Sequence, residues 1–146
     1  MRNRFDNELQ TLDETMHEMG ELCESSISLC IEALMDGNPK KAQEVVAKAV
    51  TISRKEREVE NMCLKLLMEQ QPVATDLRVI SAALKMVSDL ERIGDQSNDI
   101  AEIVITENLS AANDILNLRR MADVVNDMVT SSIEAFVNRD AELARN

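Results

Sequence analysis

The sequence predicts an all-α protein, an antiparallel bundle of long helices, and three observations carry that prediction. Aromatic residues make up only 1% of the chain, with Trp and Tyr absent, so the core must be assembled from Leu, Ile, Val, Ala and nine Met, side chains suited to helix-on-helix packing. Three glycines and two prolines in 146 residues leave the backbone few places to turn. Apolar residues recur at steps of three and four over stretches far longer than a strand. A chain of this length, 45% hydrophobic, suits one domain with a workable core.

The first helix is predicted from about Phe5 to Met35. Phe5, Leu9, Leu12, Met16, Met19, Cys23, Cys30 and Leu34 form its apolar stripe, with Ile27 alongside and Ser26 on the seam. Asp36-Gly-Asn-Pro-Lys ends it, since Gly37 suits a C-terminal cap and Pro39 suits the first position of the next helix. The second helix runs from about Pro39 to Glu69. Ala42, Val45, Ala49, Ile52, Val59, Cys63, Leu66 and Leu67 are expected inward and Arg54-Lys-Glu-Arg-Glu outward, the inward stripe weakening around Glu56. Gln70-Gln-Pro-Val makes a tight corner, because the residue before Pro72 is biased away from helical geometry.

The third helix, about Val73 to Asn108, carries the chemistry. Val79, Ala83, Met86, Leu90, Ile93, Ser97, Ile100 and Val104 form one stripe, while Leu77, Ile80, Leu84 and Val87 form a second, so its first half is expected to be buried on two sides. Continued, the second stripe reaches Glu91, Gly94 with Asp95, Asn98 and Glu102, and the apolar face turns acidic in mid-helix. Glu91, Asp95 and Asp99 recur every four residues and Glu102 follows three later, so four carboxylates share one side of the helix. Like charges at that spacing repel by a few tenths of a kcal/mol per pair unless a cation neutralises them. Glu91, Asp95, Asp99 and Glu102 are therefore candidate ligands of a divalent metal ion. Gly94 costs about 1 kcal/mol against Ala inside a helix and opens the backbone beside the acids to close approach by a ligand or helix.

A fourth helix is expected from about Ala111 to Asn138. Placed without a gap on the first, it matches at Met19/Met121, Ile31/Ile133, Glu32/Glu134 and Ala33/Ala135, with Glu21/Asp123, Leu22/Val124 and Leu34/Phe136 as conservative pairs. A unit of about 100 residues has then repeated, with residues 1–108 as the first copy and 109–146 as the start of the second. Two helices of the second copy are expected to be missing. Three helices plus one can close a four-helix bundle, and exchange between two chains is a risk of such an arrangement.

The net charge of −11 speaks against a general nucleic-acid or anionic-membrane surface and favours cations and basic protein surfaces as partners. No run approaches the roughly 20 apolar residues of a membrane span, and the opening Met-Arg-Asn-Arg-Phe-Asp lacks the apolar core of a signal peptide. A cytoplasmic location is expected. Cys23, Cys30 and Cys63 form no CxxC pair and are expected to be small buried hydrophobes. His17 is the only histidine, so a metal site must rest mainly on oxygen donors, which suit Mg, Mn, Ca or Fe and admit Zn. Asp76 is expected to act on the dipole of the third helix and Arg78 as a surface charge. Arg92 either pairs with acids of a neighbouring helix or reaches solvent.

Met1-Arg-Asn-Arg-Phe-Asp-Asn-Glu-Leu at the start, Ala74-Thr-Asp-Leu-Arg at the head of the third helix, and Leu90-Glu-Arg-Ile-Gly-Asp with Asp99-Ile-Ala-Glu resemble the PhoU family of phosphate-homeostasis regulators, a resemblance that runs over the whole chain. It implies two related three-helix units, each with an acidic Glu/Asp-x-x-x-Asp metal motif on its third helix. Here that motif falls on Glu91-x-x-x-Asp95, continues to Asp99, and occurs once. The implied function is negative regulation of phosphate uptake and of phosphate-regulon signalling through contacts with the phosphate ABC transporter ATPase and the phosphate-sensing histidine kinase. The resemblance further implies a cytoplasmic, often dimeric protein that reaches the membrane only through those partners, and no enzymatic activity. Two other classes compete. A carboxylate-bridged metalloenzyme of the ferritin-like kind takes a Glu-x-x-His motif from each of two helices, which a chain with one histidine does not supply. A metal-free helical adaptor is the third reading, separable from the first by metal analysis.

Overall fold

The computed structural model describes residues 2–69, 71–110 and 117–146. It contains α1 (Arg2–Asp36), α2 (Pro39–Glu69), α3 (Ala74–Glu107) and α4 (Leu118–Val137), then one 3₁₀ turn at Leu143–Arg145, and no strand among the described residues. The first three boundaries follow the chemistry of the links. Gly37 is left-handed (φ 60°), the Asn38 N–H closes back on the Ala33 carbonyl at 2.9 Å, and the Asn38 side chain accepts the Lys40 N–H at 3.0 Å. That hydrogen bond satisfies an open donor of the first turn of α2. The expected start of the fourth helix at Ala111 lies outside the described residues, and α4 begins after a left-handed Asn117 (φ 53°).

α1, α2 and α3 form an antiparallel three-helix bundle whose core is aliphatic and sulfur-rich: Leu12, Met16, Met19, Ile52, Val59 and Val87 are among the fully buried side chains. Cys23, Cys30 and Cys63 are free and buried, and burial pushes their thiols up to about 12, 11 and 11. They pack as hydrophobes, as the sequence suggested.

Two expectations need correction. Leu67 is 37% exposed, not inward. The buried line of α3 is Ile80, Ala83, Val87, Leu90, Gly94, Ser97, Ala101 and Val104, which lies between the two predicted stripes. A helix wedged between two neighbours buries the line that faces the gap between them and leaves each stripe as a half-covered flank. Val79, Met86, Ile93 and Ile100 flank it on one side and Leu84 on the other, all half-buried, while Leu77 is 45% exposed. Gly94 sits on the buried line, and a Cβ there would lie 3.0 Å from Ile52 Cδ1. The close approach it allows is to helix α2.

α4 does not close a four-helix bundle. It lies antiparallel along α1, held by Gly20 against Ile133, Thr130 Oγ1 to Glu24 Oε1 at 2.6 Å and Asn126 Nδ2 to Ser28 Oγ at 2.9 Å. The internal match is visible in these bonds: Asn126 and Thr130 occupy in α4 the positions that Glu24 and Ser28 occupy in α1, so the two contacts are mirror partners about a pseudo-two-fold axis. The helix ends match too. Arg139 is left-handed (φ 56°) like Gly37, and Asp140 N–H reaches the Ala135 carbonyl at 2.8 Å as Asn38 reaches Ala33. Arg139 also forks onto Asp13 at 3.0 and 3.1 Å and stacks over Phe136 at 4.8 Å, pinning the end of α4 to α1. In contrast, Met121, Val124 and Met128 are 58%, 52% and 63% exposed, although Met19, Leu22 and Ser26, their counterparts in α1, are buried or half-buried beneath α2 and α3.

Candidate metal centre

The acidic positions stand on the flank of α3 that faces α2. Helical spacing carries Glu91 and Asp95 one step around from the buried line of Leu90 and Gly94, so their stems start at the edge of the core and their carboxylates emerge beside α2. Glu91 is half-buried and accepts a hydrogen bond from Ser53 Oγ of α2 at 3.1 Å. Asp95 and Asp99 are exposed, and neither forms a hydrogen bond or ion pair among the described residues. Glu102 is exposed and accepts from Asn98 Nδ2 at 3.0 Å.

The spacing rule missed the partner helix. Glu56 of α2, where the inward stripe weakened, is half-buried. Its carboxyl is held above the usual carboxylate range, first by burial and then by the negative charges of Glu91, Glu60 and Asp95, with Arg57 opposing. A charged residue interrupting an apolar stripe was the signal available in the sequence. Carboxylates of two helices therefore meet across one seam, and among the described residues Ser53 is the donor that reaches one of them from the opposite helix.

The donor set fits an oxygen-seeking divalent cation: carboxylates with unused lone pairs, some exposed and free to rotate. In the rotamers adopted they are splayed, and among the described residues no group of three or more His, Cys, Asp or Glu side chains is gathered to hold one ion. The remaining sequence candidates lie elsewhere. His17 pairs with Glu21 at 3.2 Å, both exposed, and with Glu14 it lines a cleft of about 580 Å³ between α1 and α4. The one Glu-x-x-His spacing of the chain thus sits away from the acids of α3. Asp76 Oδ2 accepts the Val73 N–H at 3.3 Å, a helix-start role. Arg92 is 78% exposed and lies 4.0 Å from Asp89 of its own helix. No helix among the described residues is long and apolar enough to cross a membrane.

Comparisons with known proteins agree with the fold. The PhoU domain profile matches residues 16–104. The chain is 34% identical over 145 residues to a phosphate-specific transport system accessory protein PhoU homolog of Clostridium acetobutylicum, covering 98% of this chain and 66% of that protein. It is 35% identical to the homolog of the same name from Aquifex aeolicus, covering 94% and 63%. The chain thus spans slightly less than two thirds of the length of these relatives, which carry the name of a transport accessory protein and not of an enzyme. The crystal structure of PhoU from Pseudomonas aeruginosa superposes with a TM-score of 0.87 at 33% identity, covering 97% of this chain and 68% of that one.

Proposed function

The chain belongs to the PhoU family, a family of transport accessory proteins and not of enzymes, and on that premise we propose that it restrains phosphate uptake and phosphate-regulon signalling when phosphate is ample. It does so through protein contacts with the ATPase of the phosphate ABC transporter and with the phosphate-sensing histidine kinase. It acts as a cytoplasmic homodimer, with exchange of helices between chains as one way to build the dimer. The observation that supports the role is identity of about a third to proteins of the phosphate-specific transport system over nearly the whole chain.

Glu91, Asp95, Asp99 and Glu102, with Glu56 near Glu91 and Asp95, hold the metal in this reading. Its identity is Fe, Zn, Mn or Mg, all of which carboxylates accept. The cation supplies positive charge at a seam where carboxylates of two helices repel one another, and it fixes their side chains into a docking surface. Ser53 orients Glu91 for this task, and the packing of Gly94 on Ile52 fixes the distance between the two helices.

The test has two readouts. Glu91→Gln, Asp95→Asn and Asp99→Asn combined should abolish metal binding by elemental analysis while leaving helix content and thermal unfolding close to those of the parent. Unchanged metal content overturns the site. In cells lacking their own PhoU protein, the parent chain should silence a phosphate-starvation reporter at ample phosphate, and failure to do so overturns the regulatory role.

A further inference from the structure

α3 and α4 both pack on α1 but stand apart from each other, and the space between them is a trough. Two clefts, of about 650 and 260 Å³, share Asp89, Ile93 and Val125 in their walls and so run into one another. Ile27 and Ile31 of α1 form part of the floor. The α3 wall carries Met86, Asp89, Ile93, Gln96 and Ile100, and the α4 wall carries Leu118, Met121, Val125, Met128 and Ser132. Both sets step by three and four, the spacing of a helix that packs side by side with another along a heptad seam. Each seam spans about 21 Å at 1.5 Å per residue. The two helices run antiparallel: Met86 shares a cleft with Ser132 and Ile100 with Leu118, which sets Ile93 level with Val125 at the middle of the trough. Met121, Val125 and Met128 are 58%, 39% and 63% exposed, while Met86, Ile93 and Ile100 are half-buried.

We propose that this trough is where a second copy of the chain docks, the α3 and α4 walls of the two copies meeting face to face and closing a four-helix bundle between them without exchange of helices. Two antiparallel helices whose seams look across an unfilled trough are half of such a bundle. The pattern of the seams identifies the other half, because it is its own complement, as a two-fold interface requires. A two-fold axis crossing the trough at the level of Ile93 and Val125 brings Met86 of one copy opposite Ile100 of the other and Met121 opposite Met128. It sets Ile93 and Val125 each against its own counterpart, and Asp89 within one residue of Gln96. Apolar side chains thus meet apolar ones along both seams, and the one carboxylate lining the two clefts meets an amide that can donate to it. Only the end pair, Leu118 with Ser132, joins an apolar residue to a polar one. The inference rests on the homodimer named above and assigns the surface that makes it.

The test is the oligomeric state of the full chain by sedimentation equilibrium in EDTA, with charges placed in the seam. Met121→Lys alone and Met128→Glu alone should each weaken dimerisation by roughly tenfold or more, since each buries an unpaired charge in the interface. Met121→Lys/Met128→Glu should recover much of that loss, because the axis sets each new cation against a new anion of the other copy, whereas within one helix the two positions lie about 10 Å apart at 1.5 Å per residue. Val50→Lys, at a site on α2 that is 69% exposed, should change nothing. Val125→Cys gives a second readout that leaves the interface uncharged: a short bis-maleimide should join two copies through it, while the parent, whose three thiols are buried and pushed up to about 12, 11 and 11, should stay uncross-linked. A monomeric parent overturns both this interface and the homodimer of the preceding section, as it would if another protein or a further stretch of chain fills the trough. A dimer that tolerates both single charges, or a double variant no tighter than the singles, overturns the interface and leaves the homodimer standing. Phosphate regulation and metal content are read by separate experiments, and their failure leaves this result untouched.

Discussion

Glu56 shows how a single side chain joins sequence pattern to chemistry. It breaks the apolar stripe of α2, and in the fold it stands against the acids of α3. Its carboxyl is raised by burial and by Glu91, Glu60 and Asp95, so the folded protein binds its proton more tightly than the unfolded chain does. Stability contributed by this group therefore falls as pH rises from the unfolded value near 4.5 through the raised folded value. In chelated buffer Glu56→Gln should stabilise the protein at pH 7 by a few tenths of a kcal/mol, the scale of a relieved like-charge pair, and the gain should shrink as pH falls through the raised folded value and be gone below about 4.5. Urea melts at the two pH values check it, and equal destabilisation at both would show that Glu56 is not under repulsion. The thiols behave oppositely to functional groups: pushed up to about 11 or 12 by burial, they stay protonated and unreactive at neutral pH.

Among the elements, the contact between α1 and α4 has the least slack. A Cβ on Gly20 would lie 2.7 Å from Ile133 Cγ1, and a β-branched side chain in a helix has essentially one χ1 rotamer to occupy. Gly20→Ala should cost about 1–3 kcal/mol, the usual cost of overpacking, despite the better helix propensity of Ala. Ile133→Ala in the same chain should recover part of that loss, so that the double variant is more stable than the sum of the singles predicts. Denaturant melts of the four proteins measure the coupling, and strict additivity would mean that α4 moves aside freely. The acid seam was half legible at this scale. Periodicity placed Glu91, Asp95, Asp99 and Glu102 on one side of α3, but a single-helix pattern carries no information about which residues of α2 lie opposite.

For the molecule as a whole, the net charge of −11 makes self-repulsion a general destabilising term that salt screens. Raising NaCl should raise the melting temperature. A divalent chloride at equal ionic strength should raise it further if carboxylates bind the cation specifically, by mass action on the folded state. The additional rise should vanish in the Glu91→Gln/Asp95→Asn/Asp99→Asn variant; a rise that persists there would be screening alone. The same scale decides where the surface is apolar. Met121, Val124 and Met128 are exposed on α4 while their counterparts on α1 are covered, because α2 and α3 pack over that face of α1 and, among the described residues, no helix packs over the corresponding face of α4.

The sequence by itself determined the helical class, the first three helices, the burial of the cysteines and the family, because each is written in local periodicity, in turn chemistry at Gly37, Pro39 and Pro72, or in contiguous motifs. The tertiary structure alone decided that α4 lies on α1 instead of closing a four-helix bundle, that the core line of α3 runs through Gly94, and that Glu56 and Ser53 meet Glu91 across the seam. Those facts depend on the rotation and register of one helix against another, and two helices with the same apolar spacing can adopt several such arrangements until small residues such as Gly20 and Gly94 let one pair of backbones come closest.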